Sequence, residues 1–138
     1  MFDRCIYFNT TALARHLERV WTAAFAPFDL TPPQGFMLRA VLARPGLLQC
    51  ELAAELKIAR ATATLGLDGL AAKGLIVRNK STADKRECSI TPTDAALSIR
   101  DELDAASGAT TKRLGGLVGD DVFAGFVEQA KAIAARLE

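Results

Sequence analysis

Apolar side chains recur at helical spacing over most of the chain. Residues 10–26 hold neither Pro nor Gly, and Leu13, Leu17, Val20 and Trp21 follow at steps of four and three, which predicts an amphipathic helix. Ile6 carries the stripe back one heptad, and Pro27 with Asp29 ends it. Thr31-Pro32-Pro33-Gln34 predicts the next start, with Thr31 as N-cap, Pro32 in the first helical position and Gln34 closing a capping box. Phe36, Met37, Ala40 and Val41 form its apolar face, up to a stop at Pro45-Gly46. Residues 49–56 predict a short helix with Leu52, Ala53 and Leu56 inward, followed by a tight connection, Lys57-Ile58-Ala59-Arg60. Residues 61–73 predict a further helix, with Ala63, Leu67, Leu70 and Ala71 on one face and Gly74 as C-cap.

The period then changes. Leu75-Ile76-Val77-Arg78 and Cys88-Ser89-Ile90-Thr91 are rich in β-formers and predict two strands, with the polar stretch Asn79 to Glu87 as an extended hairpin loop. Thr91-Pro92-Thr93-Asp94 repeats the helix-start pattern. The helix it opens runs through Leu97, Leu103 and Ala106 toward Leu114, with Gly108 as a weak point and a break expected from Gly115-Gly116 to Gly119. Asp120-Asp121 is expected to cap a last helix striped by Phe123, Phe126, Val127, Ala130, Ile133 and Leu137. Two short helices joined by about four residues have the helix-turn-helix proportion. The whole order predicts a mostly α chain: a winged helix-turn-helix, α+β in its wing hairpin, with helical extensions at both ends. One domain is expected over 1–138, with a DNA-binding core at about 30–92 and dimerisation helices at about 5–26 and 93–138. The terminal stripes exceed what so small a core can cover, so a homodimer is expected.

Composition narrows the class. With 138 residues, half of them hydrophobic, the chain is too apolar for disorder and too short for two roomy cores. No run of eighteen apolar residues spans a membrane, and Met1-Phe2-Asp3-Arg4-Cys5 leads into no signal-peptide core, so a cytoplasmic protein without membrane contact is expected. Cys5, Cys50 and Cys88 are an odd, sparse set that fits a reducing compartment. Net charge is +1, but residues 57–86 concentrate Lys57, Arg60, Lys73, Arg78, Lys80, Lys85 and Arg86 against Asp68 and Asp84. That block suggests a local polyanion-binding face, although a solvated face clustered by chance gives the same count. One histidine, no Gly-rich phosphate loop after a strand and no Cys/His metal spacing leave no basis for an enzyme, a metal site or a cofactor.

In order along the chain, Leu30-Thr31-Pro32-Pro33-Gln34, Pro45-Gly46-Leu47, Glu51-Leu52-Ala53-Ala54-Glu55-Leu56, Asp68-Gly69-Leu70, Lys73-Gly74-Leu75-Ile76 and the wing run Asp84-Lys85-Arg86 followed by Thr91-Pro92 resemble the multiple-antibiotic-resistance-regulator (MarR) family over nearly the full length. The resemblance implies a homodimeric transcription factor that binds pseudo-palindromic double-stranded DNA, usually represses, and is released by a small molecule or an oxidant. It implies that Arg86 enters the minor groove with Asp84 holding its shape. Three departures stand out: Leu48 and Ala59 where relatives carry polar caps, and Leu65 where many are basic; Gly66 and Gly69 are also expected to soften the recognition helix.

A recognition helix reads base edges with its N-terminal side chains. Arg60, Thr62 and Thr64 are therefore the candidate readers, with Ala61 between them. Lys80 and Lys85 are candidates for flanking phosphates, and Gln34 and Gln49, near helix starts, for the DNA backbone. Tyr7, Phe8, His16, Trp21 and Phe36, with Phe25 and Phe28 nearby, are candidates to line a cleft for a small aromatic effector, though each is equally well placed as core. Two alternatives remain open. Cys5, near a helix start and beside Arg4, suits a hydroperoxide-sensing regulator of the same fold. A poorly charged recognition helix suits a winged-helix protein-interaction module that does not bind DNA.

Overall fold

The computed structural model describes residues 1–80 and 87–138. Helix α1 spans Ile6–Phe25 and passes through a 3₁₀ turn, Ala26–Phe28, into α2, Pro32–Ala43. Strand β1 (Leu47–Leu48) precedes α3 (Gln49–Leu56) and α4 (Arg60–Ala72), and β2 (Ile76–Lys80) and β3 (Cys88–Pro92) follow. Two long helices close the chain, α5 (Asp94–Val118) and α6 (Asp120–Arg136). Among the described residues the strands form one antiparallel sheet in the order β1-β3-β2. Register places Leu47 opposite Ile90 and Arg78 opposite the same residue from the other side. No helix of the described residues is long and apolar enough to cross a membrane.

Helix α2 is the hub. It packs on α1, α3, α4, α5 and β3, and buries Gly35, Met37, Leu38, Val41 and Leu42. Leu38 and Leu42 extend the buried face beyond the predicted stripe, while Phe36 at its edge stays partly open. The expected capping box is present: Thr31 Oγ1 accepts from the Gln34 N–H at 3.3 Å, and Gln34 Oε1 accepts from the Thr31 N–H at 3.1 Å. The core joins this face to Phe25, Leu47, Leu52, Leu67, Leu70, Ile76, Ile90, Ala96 and Leu103.

Gly66 and Gly69, expected to soften the recognition helix, are places of close approach. A Cβ on Gly66 would lie 2.6 Å from Met37 Cε, and one on Gly69 2.7 Å from Gln34 Nε2. The pair lets α4 seat flush on α2, so what is lost in helix propensity returns as contact. Gly35 does the same for α1, because its Cβ would lie 2.4 Å from the Phe25 ring.

Several expected boundaries move. The two-residue β1 went unseen because its register is set by pairing with β3, not by any local run. Thr93, not Thr91, caps α5: its Oγ1 accepts from the Ala96 N–H and donates to the Gly74 carbonyl at 2.7 Å. Pro92 belongs to β3, at the end of the ladder opposite Ile76, where its missing N–H is harmless. In α5, Ala96 rather than Leu97 faces the core. The helix runs on through Gly108, Gly115 and Gly116, and the break falls at Gly119 alone, whose φ of +92° suits glycine. Gly119 is itself the N-cap of α6, and Asp120 and Asp121 lie in the first turn instead. Their charges favour the positive end of the helix from there.

Candidate nucleic-acid interface

Helices α3 and α4, joined by Lys57 in the left-handed conformation (φ +56°), form the helix-turn-helix. Ala63, Leu67 and Leu70 bury the inner line of α4. The opposite side presents Arg60, Ala61, Thr62, Thr64 and Leu65 to solvent. The missing caps have different outcomes. At Leu48 the loss is half made good, because Glu51 Oε2 accepts from the Leu48 N–H at 2.9 Å. Ala59 offers α4 no side-chain cap, so its first N–H groups stay open to solvent or a ligand.

Polar contacts prearrange this face. Gln49 Nε2 donates to Thr64 Oγ1 at 2.8 Å, and Thr64 donates to the Arg60 carbonyl at 3.0 Å. Two sequence candidates from different helices thus share one small cluster. Arg60 reaches across to the base of the wing, 3.8 Å from the Glu87 carboxylate, which is only 25% exposed. Arg78 in β2 pairs with Asp68 of α4 at 2.7 Å. Two carboxylates therefore share the basic face, and sequence reading missed both pairings, since neither partner is close in sequence. Lys80 ends β2 on the wing, exposed. Asp84, Lys85 and Arg86 lie outside the described residues.

Gln34 sits elsewhere. Its Oε1 accepts from Lys73 Nζ at 3.1 Å as well as from the Thr31 N–H, so its acceptor is engaged where α2 meets the far end of α4 from Arg60. Lys73 also donates to the Asp29 carbonyl.

Of the effector candidates, Trp21 and Phe36 come together, their rings 6.1 Å apart. They line a cleft of about 440 Å³ between α1 and α2 with Ala14, Leu17, Glu18, Pro32 and Pro33. Phe25 meets Phe36 edge-on and is fully buried. Arg39 stacks over Phe36 at 5.7 Å and is held by Asp104 and Ser107 of α5, each at 2.8 Å. The indole N–H of Trp21 is buried with no hydrogen-bond partner among the described residues. Buried polar groups are normally paired, so this donor is an unsatisfied one. Tyr7, Phe8 and His16 do not line this cleft: Tyr7 is 76% exposed, Phe8 packs on Phe2, and His16 is exposed with Arg19 at 2.6 Å. Cys5 is exposed at the N-cap of α1, while Cys50 and Cys88 are part-buried.

A second space of about 420 Å³ is wholly apolar, walled by Leu13, Leu17 and Trp21 of α1, Leu114 and Val118 of α5, and Val122, Phe123, Phe126 and Val127 of α6. Helix α6 buries none of its residues, and Ile6, Leu117, Val122, Phe126 and Ile133 stand open.

The elements define a class: a winged helix-turn-helix whose flanking helices carry unpartnered apolar faces. Residues 28–87 match the model of the MarR family. None of the curated proteins compared matches the chain in sequence. Among solved structures the chain is similar to the transcriptional repressor CouR bound to a 23-mer DNA duplex, at 26% identity and TM-score 0.85 over 96% of this chain and 94% of that one. It is similar to MepR in the S. aureus MepR–DNA complex, at 19% identity and TM-score 0.84 over 95% and 96%. It is also similar to the PcaV regulator of Streptomyces coelicolor in complex with its natural ligand, at 23% identity and TM-score 0.77 over 91% and 92%. The winged-helix segment thus resembles the MarR family, and nearly the whole chain shares the fold of these regulators.

Proposed function

We propose that the protein is a homodimeric repressor that binds a pseudo-palindromic operator and is released by a small aromatic acid. The observation that carries the reading is the outer side of α4, where Arg60, Thr62 and Thr64 stand exposed to solvent beside Gln49, next to a basic wing. CouR and MepR, of the same fold, were each solved with DNA. On this reading residues 30–92 hold the duplex and the helices at 5–26 and 93–138 pair the subunits. The open stripe of α6 supports the pairing, since a helix that buries no residue against its own chain leaves its apolar face for a partner. Two copies then set their α4 helices about one helical turn of DNA apart. Arg86 lies in the minor groove and Lys80 and Lys85 on phosphates, each lending affinity that falls steeply with salt.

The effector occupies the cleft between α1 and α2, packed against Trp21 and Phe36. Trp21 is the single tryptophan, so its fluorescence reports occupancy directly. Selection from a random duplex pool at controlled salt tests the reading: enrichment of an inverted repeat supports it, and an unenriched pool contradicts it. Titrating the selected complex with simple aromatic acids then tests release, with tryptophan quenching and loss of the shifted band expected together. The exposed thiol of Cys5 favours a second reading, in which organic hydroperoxide releases the DNA and Cys5→Ser abolishes that response.

A further inference from the structure

With 100° per helical residue, burial of Ala63, Leu67 and Leu70 places Ala61, Leu65 and Asp68 along the outermost line of α4. Asp68 is turned to Arg78 of the wing. That leaves an apolar ridge, the Ala61 methyl and a Leu65 side chain 73% exposed, at the point that stands farthest from the core. Arg60 and Thr64 flank it on one side and Thr62 on the other. Docking a protein takes several hundred Å² of continuous apolar surface, far more than one leucine and one methyl provide. The surrounding segment, residues 57–86, carries the chain's positive excess, which complements a polyanion. Leucine has no donor for phosphate or for a base acceptor. The apolar group that a base edge offers in the major groove is the C5 methyl of thymine.

We propose that Ala61 and Leu65 form a thymine-methyl contact, so that each operator half-site carries a thymine beneath the middle of α4. The proposal rests on the DNA-binding reading and adds its base preference: Arg60, Thr62 and Thr64 supply hydrogen bonds at the rim, and the ridge selects a methyl at the centre. The test uses the full-length protein and the duplex recovered by selection, with each thymine replaced in turn by deoxyuridine. That change removes one methyl and keeps every phosphate and hydrogen-bonding group.

Burial of one methyl corresponds to about a fourfold change in affinity. We expect a loss of about that size per half-site at one thymine position, no loss for Leu65→Ala at the same position, and retention of the loss in Leu65→Met. Thermal melting of Leu65→Ala equal to that of the parent shows that the fold is unaffected. An operator bound equally well with and without every methyl, a uracil effect unchanged in Leu65→Ala, or a half-site without thymine overturns the ridge contact while leaving DNA binding intact. A face that holds a protein instead gives the same indifference to both changes. A pool that enriches no duplex overturns the DNA-binding reading and the ridge contact with it.

Discussion

At the scale of single residues, glycines and carboxylates carry the surprises. Gly35 lies mid-helix, where propensity alone predicts that alanine stabilises by about 1 kcal/mol. The Phe25 ring, fully buried, stands where that Cβ would go. Overpacking therefore outweighs propensity, and Gly35→Ala is expected to cost about 1–3 kcal/mol, read as a lower midpoint in thermal or urea denaturation. A raised midpoint would show that the ring moves freely. Glu87 is the other case. Its carboxylate faces Arg60 and would face the phosphates of a bound duplex. With Arg60 open to solvent and 3.8 Å between the charges, the pair is worth little in itself, about 0.2–1 kcal/mol. Glu87→Gln frees Arg60 and removes a like charge, so binding to unrelated duplexes is expected to tighten about two- to fivefold at low salt. Unchanged or weaker binding would mean that Glu87 orients Arg60 instead of competing for it. Neither Glu87 nor Asp68 was legible as a partner in the sequence, since each ion pair spans two elements that only the fold brings together.

At the scale of elements, the predicted helices and the two wing strands exist, because their signals were local. Thr31-Pro32-Pro33-Gln34 carries its own cap chemistry, and the 49–56 and 61–73 stripes face inward as expected. What failed to show was set by tertiary context. The strand β1 needs β3 beside it, Pro92 is tolerated because it ends a ladder, and α5 passes three glycines because packing on α1 and α2 outweighs their low propensity. The start of α5 is a test of that interplay. Thr93 caps the helix and also ties down the carbonyl of Gly74, which lies in the link from α4 to β2. Thr93→Ala is expected to cost about 0.5–2 kcal/mol of stability. Thr93→Ser, which keeps both hydrogen bonds, is expected to restore most of it in the same denaturation measurement.

At the scale of the whole molecule, the interface candidates sort by distance from the core. Gln49, Thr64 and Arg60 gather at one end of α4, Gln34 is bound into the scaffold at the other, and Tyr7, Phe8 and His16 stand apart from the cleft that Trp21 and Phe36 share. Residue type and helix register were enough to find the first group. They could not separate aromatic residues facing the cleft from those on the open N-terminal turns, because it is Trp21 and Phe25, near the C-terminal end of α1, that meet Phe36 of α2. The apolar faces of α1 and α6 tie the subunit question to the DNA question. Phe126→Asp puts a charge in the middle of the open stripe and is expected to yield monomers that keep their helicity but lose operator binding by at least tenfold, since each half-site would then be held alone. Full affinity in a monomeric variant would separate the two functions. The most direct measurement is the mass of the complex between the purified protein and a selected duplex, by sedimentation equilibrium at modest ionic strength. Two chains on one inverted repeat is the expected result, whereas one chain per duplex, or no complex at all, would contradict a paired, DNA-holding regulator.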